Sequence, residues 1–249
     1  MKTCEACRDG RSFPKPITMA FQPIVNVLEK TTFAHEALVR GQDGSAASEI
    51  LAAVDESNRY AFNQLCRITA LEWAGRLRPP SLLSINFMPN AVYELDNCMQ
   101  ATIAVAHRVD WPLTRIIFEV NEQEAVSDFA HLLVALKSYR AQGILIAIDD
   151  FGAAYSGLNL LAEFQPDLLK LDLALIKGIA ADRPRRAIIR HTVSMCEELG
   201  VKIVAEGVET VDDSHALCDL GIPLQQGYLF AKPLIEALPA MHFEVESAA

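Results

Sequence analysis

The stretch ILIAIDDFGAAYSG, Ile144 to Gly157, sets five apolar residues directly against two adjacent carboxylates, Asp149 and Asp150. A turn containing Phe151 and Gly152 follows at once. Two carboxylates held together repel each other unless a cation or a proton shares the site. A buried segment therefore ends where positive charge is expected. Because consecutive residues of a strand point to opposite sides, both acids reach one place only if the chain turns immediately, and Gly152 supplies that freedom.

Working outward, the same design recurs. Short apolar runs rich in β-branched residues are expected as strands at Ala20 to Asn26, Phe33 to Arg40, Leu82 to Phe87, Arg115 to Val120, Ile144 to Asp149, Leu168 to Asp172, Lys202 to Gly207 and Leu224 to Phe230. Helical periodicity lies between them at about 47–77, 90–109, 124–141, 156–164, 184–199 and 210–220. This alternation predicts an α/β chain folded as a modified (β/α)8 TIM-like barrel. VLEKTTF is too short for a helical crossover, so the first strand is expected to run antiparallel to the second.

Length and composition agree with one large domain. The 249 residues are 51% hydrophobic, enough for a substantial core. With 32 acidic against 22 basic residues and a formal charge of -10, the chain lacks the basic surface that grips long nucleic acid. An anionic ligand must then be received by metal ions or by a few local cations. No segment has the length and apolarity of a signal peptide or membrane span, so a cytoplasmic protein is expected. The six cysteines do not form a disulfide framework. Cys4 and Cys7 fall in an expected tail, residues 1–15, as incidental thiols, because structural zinc normally takes four ligands. Residues 16–249 form the expected barrel.

Placed on this frame, Glu36, Asn86, Glu119, Asp149 with Asp150, Lys170, Glu206 and Gln226 each fall in or just after a different strand. In a parallel barrel those strand ends converge on one face, where active sites are built. Carboxylates and an amide are hard oxygen donors suited to Mg²⁺ or Mn²⁺, and the histidines lie off the pattern. So many carboxylates suit two ions rather than one, an arrangement that favours hydrolysis of a phosphate ester. Lys170 would orient water or neutralise the transition state; the plainer alternative is a salt bridge to Asp167 or Asp172.

The strings QPIV (22–25), EALVR (36–40), FEVNE (118–122), DDFG (149–152), KLD (170–172), AEGVET (205–210) and QGYLF (226–230), in that order, resemble the EAL-domain family. The resemblance implies a phosphodiesterase that opens the bacterial second messenger cyclic di-GMP to linear pGpG. It implies one metal on Glu36, Asn86, Glu119 and Asp149, and a second on Asp149, Asp150 and Glu206, with Glu206 alternatively a general base. It further implies catalytic support from Lys170, Gln226 and Glu209, nucleotide contacts from Gln22, Leu38 and Arg40, and a loop anchor at Glu122. A homodimer is expected, with regulation entering through expression, oligomer state, the tail or an unidentified partner.

Two departures from the family pattern stand out. DDFGAAYSGL replaces the usual DDFGTGYSSL, so Ala154 stands where glycine is usual, and Asn121 replaces a usual threonine. Every implied metal ligand is present, which argues against the alternative of a catalytically silent cyclic di-GMP receptor or interaction protein on the same barrel.

Overall fold

The computed structural model describes residues 12–88, 95–122, 128–153 and 157–243. Cys4, Cys7 and Ala154 therefore lie outside the described residues. Strands β1 (Ile17–Asn26), β2 (Thr31–Gly41), β3 (Leu82–Phe87), β4 (Ile116–Asn121), β5 (Leu145–Phe151), β6 (Leu168–Leu171), β7 (Lys202–Ala205) and β8 (Leu224–Gln225) form the barrel wall. Neighbours follow sequence order from β2 to β8, and β1 closes the ring between β8 and β2. All pairings from β2 to β8 are parallel. Only β1 is antiparallel to its neighbours, because the turn joining it to β2 leaves no room for a crossover. A ninth strand, β9 (Leu234–Ile235), not expected from the sequence, pairs with β1 at Ala20 and Phe21.

The helices are α1 (Ala47–Leu51), α2 (Arg59–Leu77), α3 (Leu95–Arg108), α4 (Phe129–Ala141), α5 (Gly157–Glu163), α6 (Leu173–Ile176), α7 (Arg183–Leu199) and α8 (Val211–Asp219). The helix expected over 47–77 is broken because Asp55 and Asn58 bind nearby backbone instead: Asp55 Oδ1 accepts from Ser57 N at 2.7 Å, and Asn58 Nδ2 donates to Ala53 O at 2.9 Å. Asp172, expected at the end of a strand, instead caps α6 by accepting from Ala174 N. Asp128, Asp182 and Thr210 cap α4, α7 and α8 in the same way, and left-handed Gly200 ends α7.

Two apolar regions hold the barrel. Outside, helices pack on the strands around buried Phe87, Phe118 and Tyr139, whose rings are 5.0–5.5 Å apart. Inside, Ile24, Ala34, Ile117, Ala147, Leu168, Val204 and Leu224 form a separate buried cluster. Side chains two apart on a strand share a face. The residues two positions further on, Glu36, Glu119, Asp149, Lys170, Glu206 and Gln226, therefore form a polar ring one layer above this plug. Gln22 joins them from β1, read in reverse, and Asn86 from β3.

The last barrel strand is short because the chain must pass Val208 closely. Val208 N donates to Gln226 O and Leu229 N to Val208 O, at 3.0 and 3.1 Å. A Cβ on Gly227 would lie 2.0 Å from Val208 O, so only glycine fits there.

Candidate active site

Lys170 stands at the centre of the ring and is 1% exposed. Its Nζ lies 2.7 Å from Glu206 Oε1, 2.8 Å from Glu119 Oε1, 2.9 Å from Asp149 Oδ1 and 3.8 Å from Glu36 Oε2. The plainer alternative for this lysine is thereby removed. Asp167 pairs with Arg140, and Asp172 is a helix cap. Glu36 is held from both sides: Asn86 Nδ2 donates to Oε1 at 3.2 Å and Gln226 Nε2 to Oε2 at 2.8 Å.

Asp150 reaches the site by a route the sequence does not announce. The β5–β6 register shifts between Ile148 and Phe151, and Asp150 itself adopts φ 55°. Gly152 follows at φ 95°. The left-handed Asp150 undoes the strand's alternation, and one oxygen each from Asp149, Asp150 and Glu206 then lie within 4.8 Å of one another. Asn121 Nδ2 donates to Asp150 Oδ2 and opposes the strain. Glu122 ties the turn down: its Oε2 accepts from Gly152 N at 2.8 Å, and its own N donates to Asp149 O at 3.0 Å.

A Cβ added at Gly152 would lie 2.4 Å from Leu175 Cδ1 in a backbone conformation that L side chains avoid. Gly152→Ala is therefore expected to destabilise the fold by about 1–2 kcal/mol or more and to loosen the Asp149–Asp150 turn. Chemical denaturation of the variant measures this; an unchanged midpoint would show that the turn accepts a side chain.

Electrostatics set the charge state. Burial raises the Glu119 carboxyl to about 8, with Glu36 and Asp149 adding to the shift and Lys170 opposing it. Burial likewise holds Glu206 well above its ordinary value against the pull of Lys170. Asp150 is raised by burial and then by Asp149, while Asn121 opposes. Burial alone would lower the Lys170 ammonium, but Asp149, Glu119, Glu206 and Glu36 outweigh it and hold it well above normal.

Five carboxylates against one ammonium leave four formal negative charges, the charge that two divalent cations would cancel. Glu119 Oε2 and Gln226 Oε1 are buried acceptors without a hydrogen-bond partner. Orphan oxygens beside carboxylates whose proton affinity burial raises are what a hard cation would satisfy. The donor set thus fits Mg²⁺ or Mn²⁺. Because a metal binds the deprotonated form, Mn²⁺ affinity is expected to rise from about pH 6 to about pH 8 with proton release. Titration at both pH values checks the sign.

Two cavities flank the ring and share Glu36 and Leu38. The first, about 590 Å³, reaches Asn86, Asn121, Asp149 and Asp150 and has apolar walls including Phe62 and Ile85. The second, about 310 Å³, holds Gln22, Glu206, Glu209, Gln226 and Tyr228. Glu209 is an exposed residue of this outer wall rather than part of the Lys170 cluster. Arg40 lines neither cavity; its Nη1 donates to Val39 O at 2.7 Å. Sequence reasoning missed Asn63, buried in the wall of the larger cavity with Nδ2 unpartnered. It also missed Ser84, which donates to Glu119 Oε1. The signal for Ser84 was available: in LLSINF a hydroxyl stands two residues before Asn86, where the other strands carry apolar side chains.

The EAL domain family matches residues 14–233. The chain belongs to that family. This EAL domain is 43% identical to a standalone versatile EAL protein from Vibrio cholerae O395, solved in a c-di-GMP bound form, with a TM-score of 0.91 over 95% of this chain and 100% of that one. It is 33% identical over 230 residues to the blue light- and temperature-regulated antirepressor BluF of Escherichia coli, covering 89% of this chain and 55% of BluF. Against the cyclic di-GMP phosphodiesterase RocR of Pseudomonas aeruginosa it is 36% identical over 132 residues, 53% of this chain and 33% of RocR. The chain thus spans about half the length or less of the curated relatives it matches. Among the described residues no helix is long and apolar enough to cross a membrane.

Proposed function

We propose that this EAL domain acts in the cytosol as a phosphodiesterase that opens cyclic di-GMP to linear pGpG and so lowers the messenger. The reading rests on one observation: a carboxylate-rich ring with orphan buried oxygens lies between two cavities that share Glu36 and Leu38. A dinucleotide laid across Leu38 has room for one half on each side, with a phosphate over the ring. Glu36, Asn86, Glu119 and Asp149 would hold one divalent ion, and Asp149, Asp150 and Glu206 a second. Such a pair supplies water activation and charge neutralisation at phosphoryl oxygens.

The chain's own groups do the rest. Gln22 and Leu38 contact the nucleotide, and the unused Asn63 donor suits a base acceptor. Lys170 stays charged among its carboxylates and opposes negative charge growing on the phosphoryl group. As the alternative to holding the second ion, Glu206 would accept the proton of the attacking water. Attack breaks the P–O3′ bond, and the proton finishes on the 3′ oxygen, leaving a 5′ phosphate.

Likeness to BluF, named as an antirepressor, favours a second reading, a cyclic di-GMP-responsive regulator without turnover. Incubation with cyclic di-GMP and Mn²⁺, followed by chromatography, separates the two. pGpG formation supports the first reading, and nucleotide retained intact supports the second. Mg²⁺ or Mn²⁺ is expected to sustain turnover and Ca²⁺ to inhibit it, because its longer bonds and looser geometry suit a tight two-ion site poorly. Activity surviving exhaustive chelation would remove the metal from the account.

A homodimer is part of the proposal. A groove of about 760 Å³ carries the exposed apolar residues Leu158 and Ile188 beside Glu122 and Gly152, so a second copy seated there would bear on the Asp149–Asp150 turn. Light scattering of the eluting protein gives its mass.

A further inference from the structure

Seven of the eight barrel strands place an apolar residue one layer beneath the polar ring: Ile24, Ala34, Ile117, Ala147, Leu168, Val204 and Leu224. β3 places Ser84 there, with 0% exposure. A hydroxyl in a buried apolar layer costs free energy unless it is hydrogen-bonded. Its bond goes upward to the ring, where Ser84 Oγ donates to Glu119 Oε1 at 2.7 Å. The same Oε1 forms an ion pair with Lys170 Nζ at 2.8 Å, so both partners of this carboxylate meet it at one oxygen. Oε2 of the same carboxylate is buried and has no hydrogen-bond partner.

We infer that Ser84 is a positioning residue for a divalent cation, acting through Glu119. The terminal torsion of a glutamate is soft, and a carboxylate plane held at one oxygen by a single charged partner can swing. A second donor from the adjacent strand, fixed by the β3–β4 register, stops that rotation and leaves Oε2 as the free ligand. Neutral donors that orient ligating carboxylates typically change metal affinity about 10- to 100-fold. The plug layer tolerates a polar residue on β3 because that residue serves the layer above.

This inference rests on the metal reading proposed above. The test is a calorimetric Mn²⁺ titration of the full chain without nucleotide, with folding checked by circular dichroism. Ser84→Ala is expected to weaken Mn²⁺ binding at least about tenfold. Ser84→Cys, which fills the space but donates weakly, should show the same loss and serves if the alanine variant misfolds. Ser84→Thr keeps the hydroxyl and should stay within about threefold of the parent. In a Glu119→Gln background, Ser84→Ala should change nothing further. A purely structural serine would shift the thermal midpoint and leave Mn²⁺ affinity alone. Parent-like affinity in folded Ser84→Ala or Ser84→Cys overturns the role, as does a threonine variant as weak as alanine. Failure of the parent itself to bind Mn²⁺ overturns the metal reading and this inference together.

Discussion

Asp149→Ala is expected to reduce cyclic di-GMP turnover by at least about a thousandfold, to background, while leaving the protein folded. Asp149 is the ligand both proposed ions share, and it also pairs with Lys170 at 2.9 Å. Its loss therefore removes charge from every part of the site at once. Stability should move the other way. Asp149 is among the charges that push Glu119, Asp150 and Glu206 upward, so deleting it relieves repulsion. In chelator, the variant's thermal midpoint should match or exceed the parent's. Glu36→Ala is expected to abolish hydrolysis similarly. Retention of a tenth or more of parental turnover by Asp149→Ala would place the reaction elsewhere.

Lys170→Met should produce the opposite stability result. The ammonium is fully buried and is the one cation among the side chains of the ring, so its removal leaves four nearby carboxylates without a counter-charge. Breaking a buried ion pair in this way typically costs about 3–5 kcal/mol, which for a chain of this size is a fall of roughly 10 °C or more in the midpoint. Saturating Mn²⁺ should recover much of that loss by supplying the missing charge. Turnover of Lys170→Ala should fall far more than nucleotide affinity, since its proposed action is on the transition state. Equal losses in both would make the lysine a ground-state contact, and an unchanged midpoint in chelator would mean that the ring is protonated rather than paired.

Much of this was legible in the sequence because one rule carries it. Period-two alternation ties each polar residue to the apolar residue two before it, so Ile117 implies the inward face of Glu119, and Leu168 that of Lys170. The barrel and the converging acids follow from that rule applied strand by strand. What escaped was decided by tertiary geometry. Asp150 adopts a left-handed conformation that aspartate tolerates better than most residues but that its strand setting does not announce; Asn121 from β4 and Glu122 behind the turn hold it there. The interruption of 47–77 depended on side-chain bonds from Asp55 and Asn58 that compete with helix. Arg40 matched a phosphate-contacting position in its string, yet its guanidinium turns back to Val39 O. Ser84 was visible as a letter, but its meaning required knowing that Glu119 lies across the strand gap.

The ring of strands is sewn shut by its two ends. β1 meets β8 through only two register pairs, Val25 with Gln225 and Asn26 with Leu224, and meets β9 at Ala20 and Phe21. Between those stitches the chain swings away, bridged by Gln22 Nε2 donating to Ala231 O at 3.1 Å. Both sides of this seam come from opposite ends of the chain, so it joins only after every other strand has been synthesised. An unclosed sheet would leave the acids of the upper layer in water, where solvent screens their repulsion. Closing the seam would bring the desolvation of five carboxylates with it, and divalent ions, if bound as proposed, would offset that cost.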